Sequence, residues 1–144
     1  MGISDDAVEV RAQGWRRLAA LHQLIESRLE KALQADHGLS VVEFTVLDAL
    51  SRQDGFHLRM AQLARAAGLS PSASTRLVNR LEDRDYLTRI LCADDRRGIY
   101  TELTAAGRTA LAAARPVHDT TLEEALAEAE RTPELADLAA GLTS

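Results

Sequence analysis

One short segment concentrates side-chain types that bond to nucleic acids. At about 100° per residue, a helix over residues 71–84 places Leu77 and Leu81, with Ser74 and Val78 beside them, on one side. Hydroxyl, amide and guanidinium groups lie on the other side. They bond base edges and phosphates in a major groove, and the best-matched pairs are arginine with guanine and asparagine with adenine. A solvated helix face is the alternative for this helix taken alone. The polar side carries Ser72, Thr75, Arg76 and Asn79, with Arg80 at its edge.

A second basic group follows directly along the chain. Two short extended segments, Leu87–Cys92 and Ile99–Leu103, flank a polar stretch over 93–98 and predict a hairpin with a charged tip. A hairpin tip that carries Arg96 and Arg97 has the shape to enter a minor groove, where the negative potential of DNA is strongest. Asp95 is expected to orient the Arg97 guanidinium by a charge-assisted hydrogen bond.

The distribution of charge along the chain supports a nucleic-acid contact in this segment better than the net charge does. The chain has a net charge of −5, which is unexpected for a nucleic-acid binder. Residues 59–108, however, carry nine arginines against six acids, whereas the remainder carries eight basic residues against sixteen acids. Contact with phosphate is therefore expected in the middle of the chain.

The sequence gives little support to redox, metal-binding or catalytic chemistry. Cys92 is the only cysteine, so it has no partner for an intramolecular disulfide, and we interpret it as a structural strand residue. No two of the four histidines lie four residues apart, and no nucleophile motif or phosphate-binding glycine loop occurs. We therefore expect no enzyme activity, no metal and no cofactor. The sequence also has no bilayer-spanning run and no signal peptide at its start, which indicates a cytoplasmic protein.

The helices that precede and follow this basic segment must position its polar and basic side chains. Apolar residues recur at a helical period from about Ala7 to Leu33, and this helix is expected to end near His37-Gly38. Ser40-Val41-Val42-Glu43 is typical of a capping box and predicts a second helix to about Ser51. Residues 56–58 are long enough only for a very short strand.

The next two helices are separated by a tight turn. Residues 60–67 predict a helix that Gly68 ends, and Ser70-Pro71 predicts the cap and first position of the helix to about Arg84. Ala64 and Gly68 suit the close approach and sharp turn of a helix-turn-helix. After the hairpin, a long helix is expected from about Ala105, with a kink at Pro116 and a final short helix starting at Thr132-Pro133.

Two segments carry distinctive motifs. The segment from Asp95 to Gly107 is DRRGIYTELTAAG, and the segment from Thr75 to Glu82 is TRLVNRLE. In these segments the sequence resembles the MarR family of bacterial regulators. The first matches the wing signature of that family, D-x-R-x-x-x-V-x-L-T-x-x-G, with Thr101 in place of the usual valine, and the second is similar to the TRLVDRLE of the family's recognition helix.

The resemblance implies one domain over 1–144 that is mainly α with a small β-wing. A winged helix-turn-helix over 40–104 would be bracketed by dimerisation helices over 7–37 and 105–144. It implies a homodimeric transcriptional regulator, most simply a repressor, on a pseudo-palindromic double-stranded operator with half-sites about one helical turn apart. A winged helix used only for protein contacts is the alternative. The DNA-contacting candidates are Ser70, Ser72, Ser74, Thr75, Arg76, Asn79, Arg80, Asp95, Arg96 and Arg97.

The resemblance also implies a small-molecule effector, anionic or aromatic, that releases the protein from DNA. Members that respond to urate use a tryptophan, an aspartate and two arginines, and Trp15, Arg76 and Arg89 correspond to three of these. Thr45 stands at the aspartate position, which argues against urate and leaves another anion open. Packing in the dimer core is the alternative role for Trp15.

Overall fold

The order of helices and strands follows the predicted winged-helix pattern. The computed structural model describes residues 5–92 and 95–144, with side chains for all of these except 92 and 95–97. The result confirms a mainly α fold with a small antiparallel sheet and long helices near both ends. The elements are α1 (Asp5–His37), α2 (Val41–Ser51), a 3-10 turn (Asp54–Phe56), β1 (His57–Arg59), α3 (Met60–Ala67), α4 (Pro71–Asp83), β2 (Leu87–Cys92), β3 (Asp95–Leu103), α5 (Ala105–Glu130) and α6 (Ala136–Thr143).

Two boundaries differ from the predictions. Strand β3 begins at Asp95 rather than Ile99, because Cys92 pairs with Asp95 across an irregularity after Leu91. Backbone pairing here overrides the low strand preference of charged residues. Helix α6 begins at Ala136 rather than at Thr132-Pro133, because the Leu135 N–H first donates to the Thr132 carbonyl at 2.9 Å and closes a turn.

Local capping fixes where two of the helices begin. The Ser40 hydroxyl accepts from the Glu43 N–H at 3.0 Å, and the Glu43 carboxylate accepts from the Ser40 N–H at 2.8 Å. This confirms the predicted capping box of α2. The Ser70 hydroxyl accepts from the Ala73 N–H at 3.2 Å, and Pro71 occupies the first position of α4. Each bond satisfies an N–H that has no partner within its own helix.

Residues Leu33–Pro116 form one of two compact units, which we call the central unit. Its sheet has the order β1-β3-β2, and both pairs are antiparallel. Thr101 on β3 is fully buried, and its hydroxyl donates to the Leu58 carbonyl at 3.2 Å, which offsets the cost of burying a polar group there. The apolar core of the unit includes Leu33, Phe44, Val46, Leu47, Leu50, Leu63, Leu77, Val78, Leu81, Leu87 and Leu103.

The second compact unit, the terminal unit, consists of the described part of Met1–Ala32 together with Val117–Ser144. Its core contains Leu21, Ala129, Leu135 and Ala139. Other large apolar side chains of α1 and α6 remain exposed in a single chain, which is unusual when several occur on one element. They are Val8, Val10, Trp15, Leu18, Leu138 and Leu142.

Across residues 5–92 and 95–144, no helix combines the length and apolar character needed to cross a bilayer.

Candidate nucleic-acid interface

The turn between α3 and α4 sets the position of the polar helix. Gly68 adopts φ 66° and ψ 34°, a left-handed conformation that a residue with a Cβ enters only with strain. Its N–H donates to the Arg65 carbonyl at 3.2 Å, and the Leu69 N–H donates to the Ala64 carbonyl at 2.8 Å. These two bonds form a Schellman motif, which ends α3 and leaves room for α4 to start at Pro71.

Helix α4 has the predicted two sides. Leu77, Val78 and Leu81 are buried in the central unit. The opposite side is exposed to solvent. A large ligand such as a nucleic acid can therefore reach its hydroxyl, amide and guanidinium groups. The exposed residues are Ser72, Thr75, Arg76, Asn79 and Arg80.

The structure corrects one residue of the predicted DNA-contacting set. Ser74 is only 2% exposed, and its hydroxyl donates to the Pro71 carbonyl at 2.8 Å. It lies on the same side as Leu77 and Val78, so it does not belong to the exposed polar side of α4. Ser70 remains exposed, although its hydroxyl is used as the cap of α4.

Arg89 of β2 joins the wing, which is the hairpin of β2 and β3, to the exposed side of α4. Its guanidinium donates a hydrogen bond to the Oδ1 atom of Asn79. Its backbone N–H donates to the Glu82 carboxylate at 3.2 Å. One residue of β2 is thus held by two successive turns of α4. Sequence reasoning considered Arg89 and Asn79 separately, and no local pattern indicates that they meet.

A cavity of about 310 Å³ opens beside this contact. Its walls come from α3, α4 and the wing, and they are mostly apolar. Arg89 is the cationic residue among those that line it, which gives the cavity one strong donor for an anion. The lining residues are Met60, Ala61, Ala64, Pro71, Ser74, Thr75, Arg89 and Ile99.

The four predicted effector residues do not all contribute to this cavity. Arg89 lines it, whereas Arg76 lies on the exposed side of α4 and is not among the lining residues. The Thr45 hydroxyl donates to the Val41 carbonyl within α2 at 2.9 Å. Trp15 belongs to the terminal unit and is 67% exposed. Of these four residues, it is Arg89 that lines the cavity.

The wing supplies the remaining predicted contacts. Asp95, Arg96 and Arg97 are the first three residues of β3. Their side chains, and that of Cys92, are outside the described residues, so the predicted orienting role of Asp95 stays a prediction.

Two arginines that sequence reasoning did not single out are held by neighbours. The Arg59 Nε–H donates to the Tyr100 hydroxyl at 2.9 Å, and its guanidinium carbon lies 5.3 Å from the centre of that ring. Arg84 donates to the Gly38 carbonyl at 2.7 Å and lies over the Tyr86 ring. In the sequence, only the excess of arginine over residues 59–108 pointed to these two residues. That excess does not distinguish arginines that bond to neighbouring residues from arginines that point freely toward a ligand.

The connection from α4 into the wing depends on backbone bonds at one junction. Asp85 has φ 64°, and the Tyr86 N–H donates to the Leu81 carbonyl at 2.9 Å. The Thr104 hydroxyl donates to the Asp85 carbonyl at 2.6 Å and accepts from the Gly107 N–H at 2.9 Å. The end of α4, the end of the wing and the start of α5 are therefore fixed together.

An ion-pair group ties α2 to the first part of α5. Asp48 accepts from Arg115 at 2.7 Å and from Arg52 at 3.0 Å. Burial raises the pKa of Asp48, but the hydrogen bonds and charges of Arg52 and Arg115 outweigh it and hold the pKa below the ordinary value. The carboxylate is therefore ionised near neutral pH, and these two arginines are engaged within the unit.

Among the side chains that the structure describes, no group of three or more histidine, cysteine or acidic residues is placed to hold a metal ion.

Helices α3 and α4 with their turn, followed by an antiparallel hairpin, define a winged helix-turn-helix protein. The sequence profile of the MarR family matches residues 37–98. The transcriptional repressor Rv2887 of Mycobacterium tuberculosis is 32% identical over 108 residues, which cover 75% of this chain and 72% of the relative. The chain belongs to the MarR family.

Two solved structures extend this similarity. Sco3205, a MarR family regulator from Streptomyces coelicolor solved in complex with DNA, superposes with a TM-score of 0.78 at 27% identity, covering 99% of this chain and 87% of that chain. CouR from Rhodococcus jostii RHA1, solved bound to p-coumaroyl-CoA, superposes with a TM-score of 0.65 at 30% identity, covering 72% of this chain and 71% of that chain.

Proposed function

We propose that the protein is a homodimeric, sequence-specific DNA-binding repressor of transcription. The observation that carries this proposal is the exposed polar side of α4, held by the Gly68 turn and backed by a buried apolar side. A helix of this kind fits the major groove, where side chains bond to base edges. The similar protein Sco3205 was solved with DNA, which supports the same use of the fold.

The proposed contacts divide by position. On α4 and its cap, Ser70, Ser72 and Thr75 are expected to meet phosphates, because short hydroxyl side chains and helix N-termini commonly bond phosphate oxygens. Arg76, Asn79 and Arg80 extend farther from the helix and can meet base edges. On the wing, Arg96 and Arg97 are proposed to enter the adjacent minor groove, with Asp95 orienting Arg97.

The exposed apolar residues of the terminal unit support the dimer. Trp15 and Leu18 of α1 are 67% and 50% exposed, and Leu142 of α6 is 62% exposed. Covering such side chains with the same surface of a second copy removes apolar area from water and gives a two-fold axis. Two winged helices related by that axis would bind a pseudo-palindromic operator.

Salt dependence tests the DNA-binding proposal. We expect the protein to bind a duplex selected from random sequences, with affinity falling linearly on a log-log plot against salt. Arg97→Ala should weaken binding by about tenfold or more and reduce the magnitude of the salt slope by about two, because each subunit of the proposed dimer loses one cation that displaces counterions from the duplex. Fluorescence anisotropy at several salt concentrations measures both quantities.

Arg131→Ala is the matched control, since it removes one exposed arginine from the terminal unit. It should leave the affinity and the slope close to those of the unchanged protein. Failure to bind any duplex at low salt would contradict the proposal and favour a winged helix used for protein contacts.

The cavity beside Arg89 supports the proposed effector class. A volume of about 310 Å³ with apolar walls and one guanidinium fits a single-ring aromatic carboxylate, near the lower end of the range for ligand sites. The similar protein CouR was solved with p-coumaroyl-CoA, an aromatic acyl thioester, which supports an aromatic ligand. Because Thr75 and Arg89 both line the cavity, a bound ligand would alter the surface that faces DNA.

Titration with benzoate and 4-hydroxybenzoate tests the effector proposal. Either acid at millimolar concentration should release the operator, whereas benzamide, which has similar shape and no charge, should release much less. In Arg89→Leu the response to the acids should fall by about tenfold or more, because the charge-assisted bond is lost. Equal release by acid and amide, or an unchanged response in the variant, would exclude Arg89 as the anion ligand.

A further inference from the structure

We infer that Arg89 is a positioning residue that fixes the side-chain amide of Asn79, and that Asn79 therefore selects guanine rather than adenine. This inference rests on the proposed function, because it assigns a base to one residue of the proposed interface. It also departs from the sequence-based expectation that an exposed asparagine on this helix pairs with adenine.

The chemistry of the two groups fixes the orientation of the amide. A guanidinium has only N–H donors, whereas an asparagine side chain has an acceptor, Oδ1, and a donor, Nδ2. The Arg89 guanidinium donates to Oδ1 of Asn79, so Oδ1 faces β2. The Nδ2 group must then point away from β2, because the two atoms lie on opposite sides of the amide.

Arg89 is itself held firmly enough to impose this orientation. Its backbone N–H donates to the Glu82 carboxylate at 3.2 Å, one turn along α4 from Asn79. It is paired in the sheet with Thr101, which is fully buried and bonded to the Leu58 carbonyl at 3.2 Å. The strand position of Arg89 is thus tied both to α4 and to the core of the central unit.

The fixed amide matches one purine better than the other. Adenine offers an acceptor at N7 and a donor at N6, so a bidentate asparagine must use Oδ1 to accept from N6. In this protein Oδ1 already accepts from the Arg89 guanidinium, so the adenine amino group would have to donate to the same oxygen beside a positive charge. Guanine offers acceptors at both N7 and O6 and no donor between them, so Nδ2 of Asn79 can donate to it without competing with Arg89 for Oδ1.

Selection of bound duplexes from a random library tests this inference in the full-length protein. We expect guanine to be preferred over adenine by about tenfold at one symmetric pair of positions, with that preference lost in Asn79→Ala. In Arg89→Leu, Oδ1 is released, so the preference at the same pair should shift toward adenine. Arg89→Lys keeps a donor for Oδ1 and should retain guanine.

The outcomes separate this inference from the proposed function. If no sequence is selected, the proposed function fails and the inference with it. If a palindromic site is selected with adenine at the pair that Asn79→Ala affects, only the inference fails. It also fails if Asn79→Ala changes no position, or if Arg89→Leu weakens binding to all sequences alike. Thermal melting checks each variant for folding, and should Arg89→Leu not fold, the base preferences of the unchanged protein and Arg89→Lys decide.

Discussion

Gly107→Ala is expected to lower the free energy of unfolding of the central unit by about 3 kcal/mol or more, or to prevent its folding. A Cβ built on Gly107 would lie 2.0 Å from the Tyr86 carbonyl oxygen and 2.9 Å from the Tyr86 carbonyl carbon. A flexible side chain could move aside, but these atoms belong to the backbone. The Tyr86 carbonyl also accepts from the Thr104 N–H at 3.1 Å, so a shift would break the junction between α4, the wing and α5.

Urea unfolding followed by circular dichroism measures this loss. Ala106→Ser is the matched control, because Ala106 is exposed in the same turn of α5. It adds one heavy atom toward solvent and should change the free energy by less than about 0.5 kcal/mol. A Gly107→Ala protein as stable as this control would show that the close approach at Tyr86 does not exist.

Leu18→Glu is expected to weaken operator binding by more than about a hundredfold while sparing the winged helix itself. In the proposed dimer Leu18 is covered by the second copy, and a carboxylate there would be buried without a partner. A monomer would lose the second half-site, and with it the high effective concentration that the first binding event provides. Binding to a duplex with a single half-site should change little.

Sedimentation equilibrium gives the oligomeric state, and anisotropy on full and half operators gives the two affinities. Gln13→Glu introduces the same charge at another exposed position of α1 and should remain dimeric. If Leu18→Glu stays dimeric at micromolar concentration and binds the full operator normally, this part of α1 is not the dimer interface.

The parts of the fold that depend on neighbouring residues were predictable from the sequence. Ser40 and Glu43 form their capping box, Gly68 ends α3, and Ser70 with Pro71 starts α4. Each of these signals involves residues within one helical turn, so side-chain chemistry alone determines the outcome. The division of α4 into an exposed and a buried side followed from its period in the same way.

The parts that depend on distant pairing were not predictable. The Arg89 guanidinium meets Asn79 only because β2 returns alongside α4, and that geometry is set by the junction at Asp85 and Thr104. The outward extension of β3 to Asp95 depends on a partner strand. Ser74 was included among the DNA contacts for its side-chain type, although its angular position already placed it beside Leu77.

The two compact units differ in how they are arranged along the chain, and they therefore differ in what their folding requires. The central unit is one uninterrupted segment, Leu33–Pro116, whereas the terminal unit combines residues from both sides of that segment. The core of the central unit can therefore form from its own stretch of chain, while the terminal unit forms only when two distant stretches meet, at a greater cost in loop-closure entropy. In the proposed dimer we expect the surface that meets DNA to fold first, and the pairing of subunits to follow.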